Sequence, residues 1–126
     1  MMPQRKPKIL IVDDEPSIRR LLAEALSRSG YRVQSCAGGL SALSTIRQEI
    51  PDVLLSDLNM PGISGFELLA VVRQSFPEIK LVAMSGAYSG NGIPTGVVAD
   101  AFYGKGSTLH ALTQILDGMA VPRAQC

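Results

Sequence analysis

The sequence predicts a single α/β domain built on a parallel β-sheet. Short aliphatic runs without polar alternation indicate strands that are buried on both faces, as in parallel sheets. Segments with helical periodicity separate these runs along the chain. The length of 126 residues suits one domain with its own core. Together these observations predict right-handed strand–helix–strand crossovers, with helices on both faces of the sheet.

The first part of the chain predicts a strand, a helix and a second strand. The first strand is expected at 9–12, a run of four aliphatic residues. Pro16 fits the first turn of the following helix, and Gly30 ends that helix. Its apolar face is marked by Ile18, Leu21, Leu22, Ala25 and Leu26. The second strand is expected at 31–36, with Val33 as its clearest core residue.

The middle of the chain continues the same alternation. A second helix, marked by apolar residues, ends at Pro51 and leads into a third strand at 52–57. A loop at 60–65 precedes a third helix, which Pro77 ends, and a fourth strand follows at 80–84. The apolar faces of these two helices are marked by Leu43, Ile46 and Ile50, and by Phe66, Leu69, Val72 and Phe76.

The segment 86–101 departs from this rhythm. A fourth crossover helix belongs there, yet the segment holds four glycines, a proline and an asparagine. Each interior glycine costs a helix about 1 kcal/mol relative to alanine. We therefore expect at most one or two turns, that is, a fourth helix that is short or irregular. The fifth strand is expected at 102–104, and Ser107 is expected to cap a last helix whose apolar residues are Leu109, Leu112, Leu116 and Met119.

Composition limits the classes of partner and compartment. The net charge of +1 produces no strong field, so we expect no direct nucleic-acid partner and no membrane partner. No apolar stretch approaches the ~18 residues needed to span a bilayer. Asp13 and Asp14 interrupt any secretory apolar region. Cys36 and Cys126 match no metal or redox spacing and fit a reducing cytosol, so a cytoplasmic location is expected.

Residues capable of phosphate chemistry end four of the predicted strands. They are Asp13 and Asp14, Asp57, Ser85 and Lys105. Because ligands of open parallel sheets bind at the carboxyl ends of the strands, we expect these residues to form one site. Taken singly, each has a more ordinary role: an aspartate after a strand is more often a cap or turn residue, and a lysine is usually solvated. The joint pattern favours a functional cluster.

The chemistry of this cluster suits phosphoryl transfer. The Asp57 carboxylate can attack phosphorus and form an acyl phosphate. Three clustered carboxylates repel one another and require a cation, and an all-oxygen ligand set selects a hard ion such as Mg²⁺. The backbone carbonyl of Asn59 is within reach of such an ion. Lys105 supplies positive charge for the phosphoryl oxygens, and Ser85 can donate a hydrogen bond to them.

These residues resemble the receiver domain of two-component response regulators. The matching motifs are Ile-Val-Asp-Asp-Glu at 11–15, Asp-Leu-Asn-Met-Pro-Gly-Ile-Ser-Gly at 57–65, Met-Ser-Gly at 84–86, and Lys105. The likeness extends over about residues 8–118. It implies a flavodoxin-like, doubly wound sheet of five strands in the order 2-1-3-4-5.

The resemblance also implies roles for the matching residues. Asp57 would be the phosphoacceptor, and Lys105 would contact the phosphate. Asp13 and Asp14 would form the acidic pocket, with Asp14 preferred as the direct metal ligand, and the Asn59 carbonyl would complete the Mg²⁺ ligands. Ser85 would be the switch hydroxyl and Phe102 the switch aromatic. The phosphoryl donor would be a phosphohistidine on a histidine kinase or phosphotransfer protein, and a downstream protein target would bind the switched form. A phosphoryl group adds about −1.5 to −2 charge, which would draw Ser85 inward and free space for Phe102.

The chain also departs from that family pattern. Gly106 follows Lys105 where the family usually has proline, so we expect a trans peptide bond and a slightly altered approach of the lysine. Phe102 lacks the hydroxyl of a tyrosine. We expect a receiver domain at 8–120 with tails at 1–7 and 121–126, either stand-alone or cut from a larger protein.

Two other functions remain open at the level of sequence. A Mg²⁺-dependent phosphohydrolase with an aspartyl-phosphate intermediate would share this chemistry, but such enzymes usually place a second acid two residues after the nucleophile, where Asn59 stands here. A non-phosphorylated, receiver-like interaction module would account for the glycine-rich segment and Gly106. The leading interpretation is a phosphoacceptor switch rather than an enzyme, with self-catalysed phosphotransfer and slow self-dephosphorylation.

Overall fold

The computed structural model describes residues 7–86 and 92–119. Within these ranges the chain forms five strands and four helices. In chain order they are β1 (Lys8–Val12), α1 (Pro16–Arg28), β2 (Arg32–Cys36), α2 (Gly39–Gln48), β3 (Val53–Asp57), α3 (Gly65–Ser75), β4 (Lys80–Ser85), β5 (Ala101–Gly104) and α4 (Leu109–Met119). Of the expected tails at 1–7 and 121–126, residues 1–6 and all of 121–126, including Cys126, lie outside the described residues, as does the predicted end of the domain at residue 120.

The sheet confirms the predicted topology. Its order is β2-β1-β3-β4-β5, and every neighbouring pair is parallel. Near the carboxyl end of the sheet, Val12 pairs with Ser56, Asp57 with Met84, and Ser85 with Gly104. The register therefore brings the residues that end β1, β3, β4 and β5 to one edge.

Two separate cores confirm that helices cover both faces of the sheet. Successive side chains of a strand point to opposite faces, and β1 divides its residues accordingly. Leu10 and Val12 pack with α2 and α3, while Ile9 and Ile11 pack with α1 and α4. Both cores hold fully buried aliphatic side chains, so the sheet is covered on each side.

Three residues predicted to be core residues are less buried than expected. Leu21 of α1 is 53% exposed, because Leu22 and Leu26 form the buried stripe of that helix. Ile50 lies beyond the end of α2 at Gln48 and is exposed. Val33 is only partly buried, because β2 is an edge strand with one sheet neighbour.

The stretch before β5 is irregular, as its glycine content predicts. Its described part, 92–100, contains no helix and turns through a bond from the Val97 N–H to the Pro94 carbonyl oxygen at 3.2 Å. Gly92 and Gly96 have φ angles of 112° and 84°, which lie outside the right-handed helical region. Asp100 then joins this stretch to β4 through two bonds with the Leu81 backbone, each 2.8 Å long. Residues 87–91 lie outside the described ranges.

The cap of α4 differs from the sequence prediction by one residue. The Ala111 N–H donates to Thr108 Oγ1 at 3.1 Å, so Thr108 rather than Ser107 caps the helix. Ser107 instead offers its backbone carbonyl to the Tyr103 hydroxyl. None of the four described helices has the length and apolar character that crossing a bilayer requires.

Candidate functional site

The ammonium group of Lys105 lies at the centre of the carboxyl edge of the sheet. Its Nζ is 2.9 Å from Asp13 Oδ2, 3.4 Å from Asp57 Oδ2 and 3.4 Å from Glu15 Oε1. The lysine side chain is 14% exposed, and the Asp13 side chain is fully buried. The Lys105–Gly106 peptide bond is trans, as expected before glycine. The fold thus joins residues 92 positions apart in one charge cluster.

Three carboxylates form an oxygen-rich pocket beside this lysine. Ligand oxygens of Asp13, Asp14 and Asp57 all lie within 4.8 Å of one another. Asp13 Oδ1 accepts a hydrogen bond from the Glu15 N–H at 2.9 Å. Asp13 Oδ2 is buried and, among the described residues, its contact with Lys105 is a charge–charge contact rather than an aligned hydrogen bond. A buried carboxylate oxygen that is balanced by a charge contact, within a set of three carboxylates, fits a hard divalent cation.

Burial and charge set the ionisation of the two central groups. Burial raises the pKa of Asp57 above its ordinary 3.8, and the nearby Asp13 adds to this, while Lys105 and the Asn59 N–H oppose it. Burial alone would lower the pKa of Lys105, but its contacts with Asp13, Asp57 and Glu15 outweigh that effect and raise the pKa above 10.5. Lys105 therefore keeps its positive charge at neutral pH, and Asp57 is more basic than an exposed aspartate.

The turn from β3 to α3 positions Asp57. A Cβ atom on Gly65 would lie 1.9 Å from the Asp57 carbonyl oxygen and 2.6 Å from Leu58 Cα, so only glycine fits there. The Gly65 N–H donates to the Leu58 carbonyl oxygen at 3.1 Å. Ser64 and Glu67 cap α3 reciprocally in a capping box. The helix start is therefore held directly against the backbone of the central carboxylate.

Asn59 contacts both Asp57 and Ser85. Its backbone N–H donates to Asp57 Oδ1 at 3.4 Å, and its side-chain Nδ2 donates to Ser85 Oγ at 3.2 Å. Ser85 is fully buried at the end of β4, whereas Asn59 is exposed. The sequence predicted a role for the Asn59 carbonyl only, and that role stays a prediction.

Phe102 lies on the same face of the sheet as Ser85. Ser85 pairs with Gly104 and Ala83 pairs with Phe102, so alternation along β4 and β5 points these side chains to one side. Phe102 is partly buried and packs against the core formed with α2 and α3. A Cβ on Gly104 would make only ordinary contacts, 3.5 Å from Ser107 Oγ and 3.9 Å from Phe102 Cε2.

Two further residues of the site were not assigned a role from the sequence. Glu15 provides a third carboxylate to Lys105, and its position directly after the aspartate pair was the signal available. The Arg19 guanidinium donates to the Asp13 carbonyl oxygen at 2.6 Å, a contact for which helical periodicity offered no signal. His110 is exposed in the first turn of α4.

Comparison with known proteins gives one consistent result. A family model described as the response regulator receiver domain matches residues 9–103. The chain is similar to sporulation initiation phosphotransferase F of Bacillus subtilis, with 40% identity over 78 residues, which make up 62% of this chain and 63% of that protein. It is also similar to a probable transcriptional regulator of Guillardia theta, with 41% identity over 64% of this chain and 33% of that protein. The match therefore spans less than two thirds of the length of these relatives.

Solved structures agree with the sequence matches. The response regulator protein TrrA of Thermotoga maritima, in complex with Mg²⁺ and BeF, has a TM-score of 0.82 and 32% identity, covering 90% of this chain and 98% of that one. The same regulator in complex with the histidine kinase ThkA has a TM-score of 0.83 and 31% identity, covering 91% of this chain and 99% of that one.

Proposed function

The chain belongs to the response regulator receiver family, and from this membership we propose that it is a phosphorylation-controlled signalling switch in which Asp57 accepts the phosphoryl group. The observation that carries the proposal is the Lys105 ammonium, which contacts both the Asp13 and the Asp57 carboxylates. This arrangement supplies a fixed positive charge beside a buried, basic carboxylate. Phosphoryl transfer depends chiefly on such positioning and charge neutralisation.

In the proposed transfer step, the Asp57 carboxylate is the nucleophile. A lone pair of a carboxylate oxygen forms the new O–P bond while the P–N bond of a phosphohistidine breaks. The P–N electron pair stays on the ring nitrogen, and the ring leaves as neutral imidazole after taking one proton from water. Lys105 balances the negative charge on the phosphoryl oxygens, and the Ser85 hydroxyl donates a hydrogen bond to one of them.

Mg²⁺ is the proposed cofactor. Asp13, Asp14, Asp57 and the Asn59 carbonyl would hold it, with Asp14, which is exposed, the preferred direct ligand by the family pattern. When bound, the ion supplies positive charge that lets an anionic donor approach three carboxylates. The buried Oδ2 of Asp13 and the all-oxygen donor set support this choice of ion.

The proposed partners are a histidine kinase or phosphotransfer protein as donor and a downstream protein as target. The complex of TrrA with a histidine kinase supports the first of these. A pocket of about 90 Å³ beside Lys105 also supports it, because Leu21, Leu22 and Leu109 give it apolar walls that a partner helix could cover. The exposure of Leu21 is consistent with such docking. A cytoplasmic location follows from this proposal.

The two other candidate functions have less support. A phosphohydrolase usually has an acid two residues after the nucleophile, whereas Asn59 stands there and its amide contacts Ser85. A non-phosphorylated module has no use for the buried charge cluster of Asp13, Asp57 and Lys105, which is costly to form without a ligand.

Phosphorylation of the chain with a small donor tests the proposal. The protein is incubated with Mg²⁺ and acetyl phosphate, and intact mass spectrometry follows the addition of one phosphoryl group. We expect modification of the wild type, none of Asp57→Asn, and full modification of Asp52→Asn. Asp52 is a matched control because it is also a buried aspartate. It directly precedes the first residue of β3, whereas Asp57 is the last residue of that strand. An unmodified wild type, or equal modification of Asp57→Asn, would contradict the proposal.

A further inference from the structure

Asn59 links the nucleophile to the switch hydroxyl through two different parts of one residue. Its backbone N–H reaches Asp57 Oδ1, and its side-chain amide donates to Ser85 Oγ. The proposed transfer and metal binding use only the Asn59 carbonyl. The amide contact with Ser85 is therefore a separate feature of the resting conformation.

We propose that the Asn59 side chain is a positioning residue that holds Ser85 in its resting position and so opposes the switch. This inference rests on the proposed function. Phosphorylation of Asp57 places three strong acceptor oxygens beside Ser85, and the hydroxyl must turn to donate to one of them. That movement lengthens or breaks the 3.2 Å bond from Asn59 Nδ2, so the bond stabilises the resting state selectively.

The surroundings of the Asn59–Ser85 contact let it stabilise the resting state in preference to the switched state. Ser85 Oγ is buried at the end of β4, where a hydrogen bond has little competition from water. The Asn59 amide starts from an exposed position in the loop after β3, so it can rotate away without opening the core. A typical hydrogen bond of this kind changes a two-state equilibrium by about two- to tenfold.

Removal of the amide should therefore favour the switched state. Beryllofluoride, a phosphate mimic, is titrated at saturating Mg²⁺ into wild type, Asn59→Ala, Ser85→Ala and the double variant, and calorimetry gives the apparent Kd. We expect Asn59→Ala to bind beryllofluoride about two- to tenfold more tightly than wild type. The same substitution should have no effect in the Ser85→Ala background, because the contact that it removes is already absent there.

The affinities of the wild type and the three variants for beryllofluoride distinguish this inference from its alternatives. Unchanged or weaker binding by Asn59→Ala would overturn it. Equal tightening in both serine backgrounds would also overturn it, since the effect would not pass through Ser85. Urea unfolding of each variant verifies that it is folded. Failure of the wild type to bind beryllofluoride, or binding by Asp57→Asn, would instead contradict the proposed function.

Discussion

Gly65→Ala tests how closely α3 is packed against the phosphoacceptor strand. The added Cβ would lie 1.9 Å from the Asp57 carbonyl oxygen and 2.6 Å from Leu58 Cα. Both are backbone atoms within or next to a central strand, so neither can rotate away as a side chain could. To reach the ordinary contact distance of 3.4 Å from that oxygen, the start of α3 must move by about 1.5 Å.

That displacement has an energetic and a functional consequence. It stretches the 3.1 Å bond from the Gly65 N–H to the Leu58 carbonyl oxygen and loosens the packing of Leu68 and Leu69. Overpacking costs about 1–3 kcal/mol and a lost hydrogen bond about 1 kcal/mol, so we expect a loss of about 3 kcal/mol. The loop that carries Asn59 shifts with the helix, so beryllofluoride binding should weaken as well.

Urea unfolding measures the effect against a matched control. Gly118→Ala adds the same methyl group to α4, where no described atom outside the helix's own backbone lies within 4 Å of the new Cβ. That control should gain up to about 1 kcal/mol, because alanine is the better helix former. A Gly65→Ala protein within about 1 kcal/mol of wild type would refute the packing argument, provided that Gly118→Ala behaves as expected.

Three other predictions concern metal, pH and helix capping. Mg²⁺ at 100 times its Kd should stabilise the wild type by about 2.7 kcal/mol in thermal unfolding, and Asp13→Asn should lose most of this gain. In metal-free protein, Asp57→Asn should be more stable than wild type at neutral pH, because the folded state raises the pKa of Asp57 above 3.8. The difference in unfolding free energy should shrink as the pH falls through that raised pKa, and it should vanish below 3.8, where Asp57 is protonated in both the folded and the unfolded state. A constant difference across a pH series of urea titrations would count against this prediction. Ser64→Ala should cost about 1 kcal/mol by chemical unfolding through loss of the capping box, whereas no loss would mean that Gly65 alone holds the helix start.

Strand and helix positions could be predicted because local patterns report burial. The uninterrupted aliphatic run before Asp13 is buried on both faces of the sheet, and Pro16 and Gly30 bracket α1 as expected. The errors occur where burial depends on neighbours. Val33 lies on an edge strand, and Leu21 borders a small pocket and is half exposed, although both residue types favour a core.

Much of the site could also be predicted, because the ends of parallel strands meet at one edge. That rule was enough to expect Asp13, Asp57 and Lys105 together, and they are in contact. It could not reveal the contact of the Asn59 amide with Ser85 or of Arg19 with the Asp13 carbonyl. Such contacts depend on side-chain rotamers and loop paths, which have no periodic signature in the sequence.

The sequence by itself determined the kind of sheet, the family and the residues that carry charge, because hydrophobic periodicity and short motifs are local properties of a chain. Only the tertiary structure decided how those charges are balanced. It placed one ammonium among three carboxylates, left Asp13 Oδ2 buried beside it, and set the exposed amide of Asn59 against the buried Ser85. Burial and distance control the strength of such interactions, and both arise only when distant segments pack together.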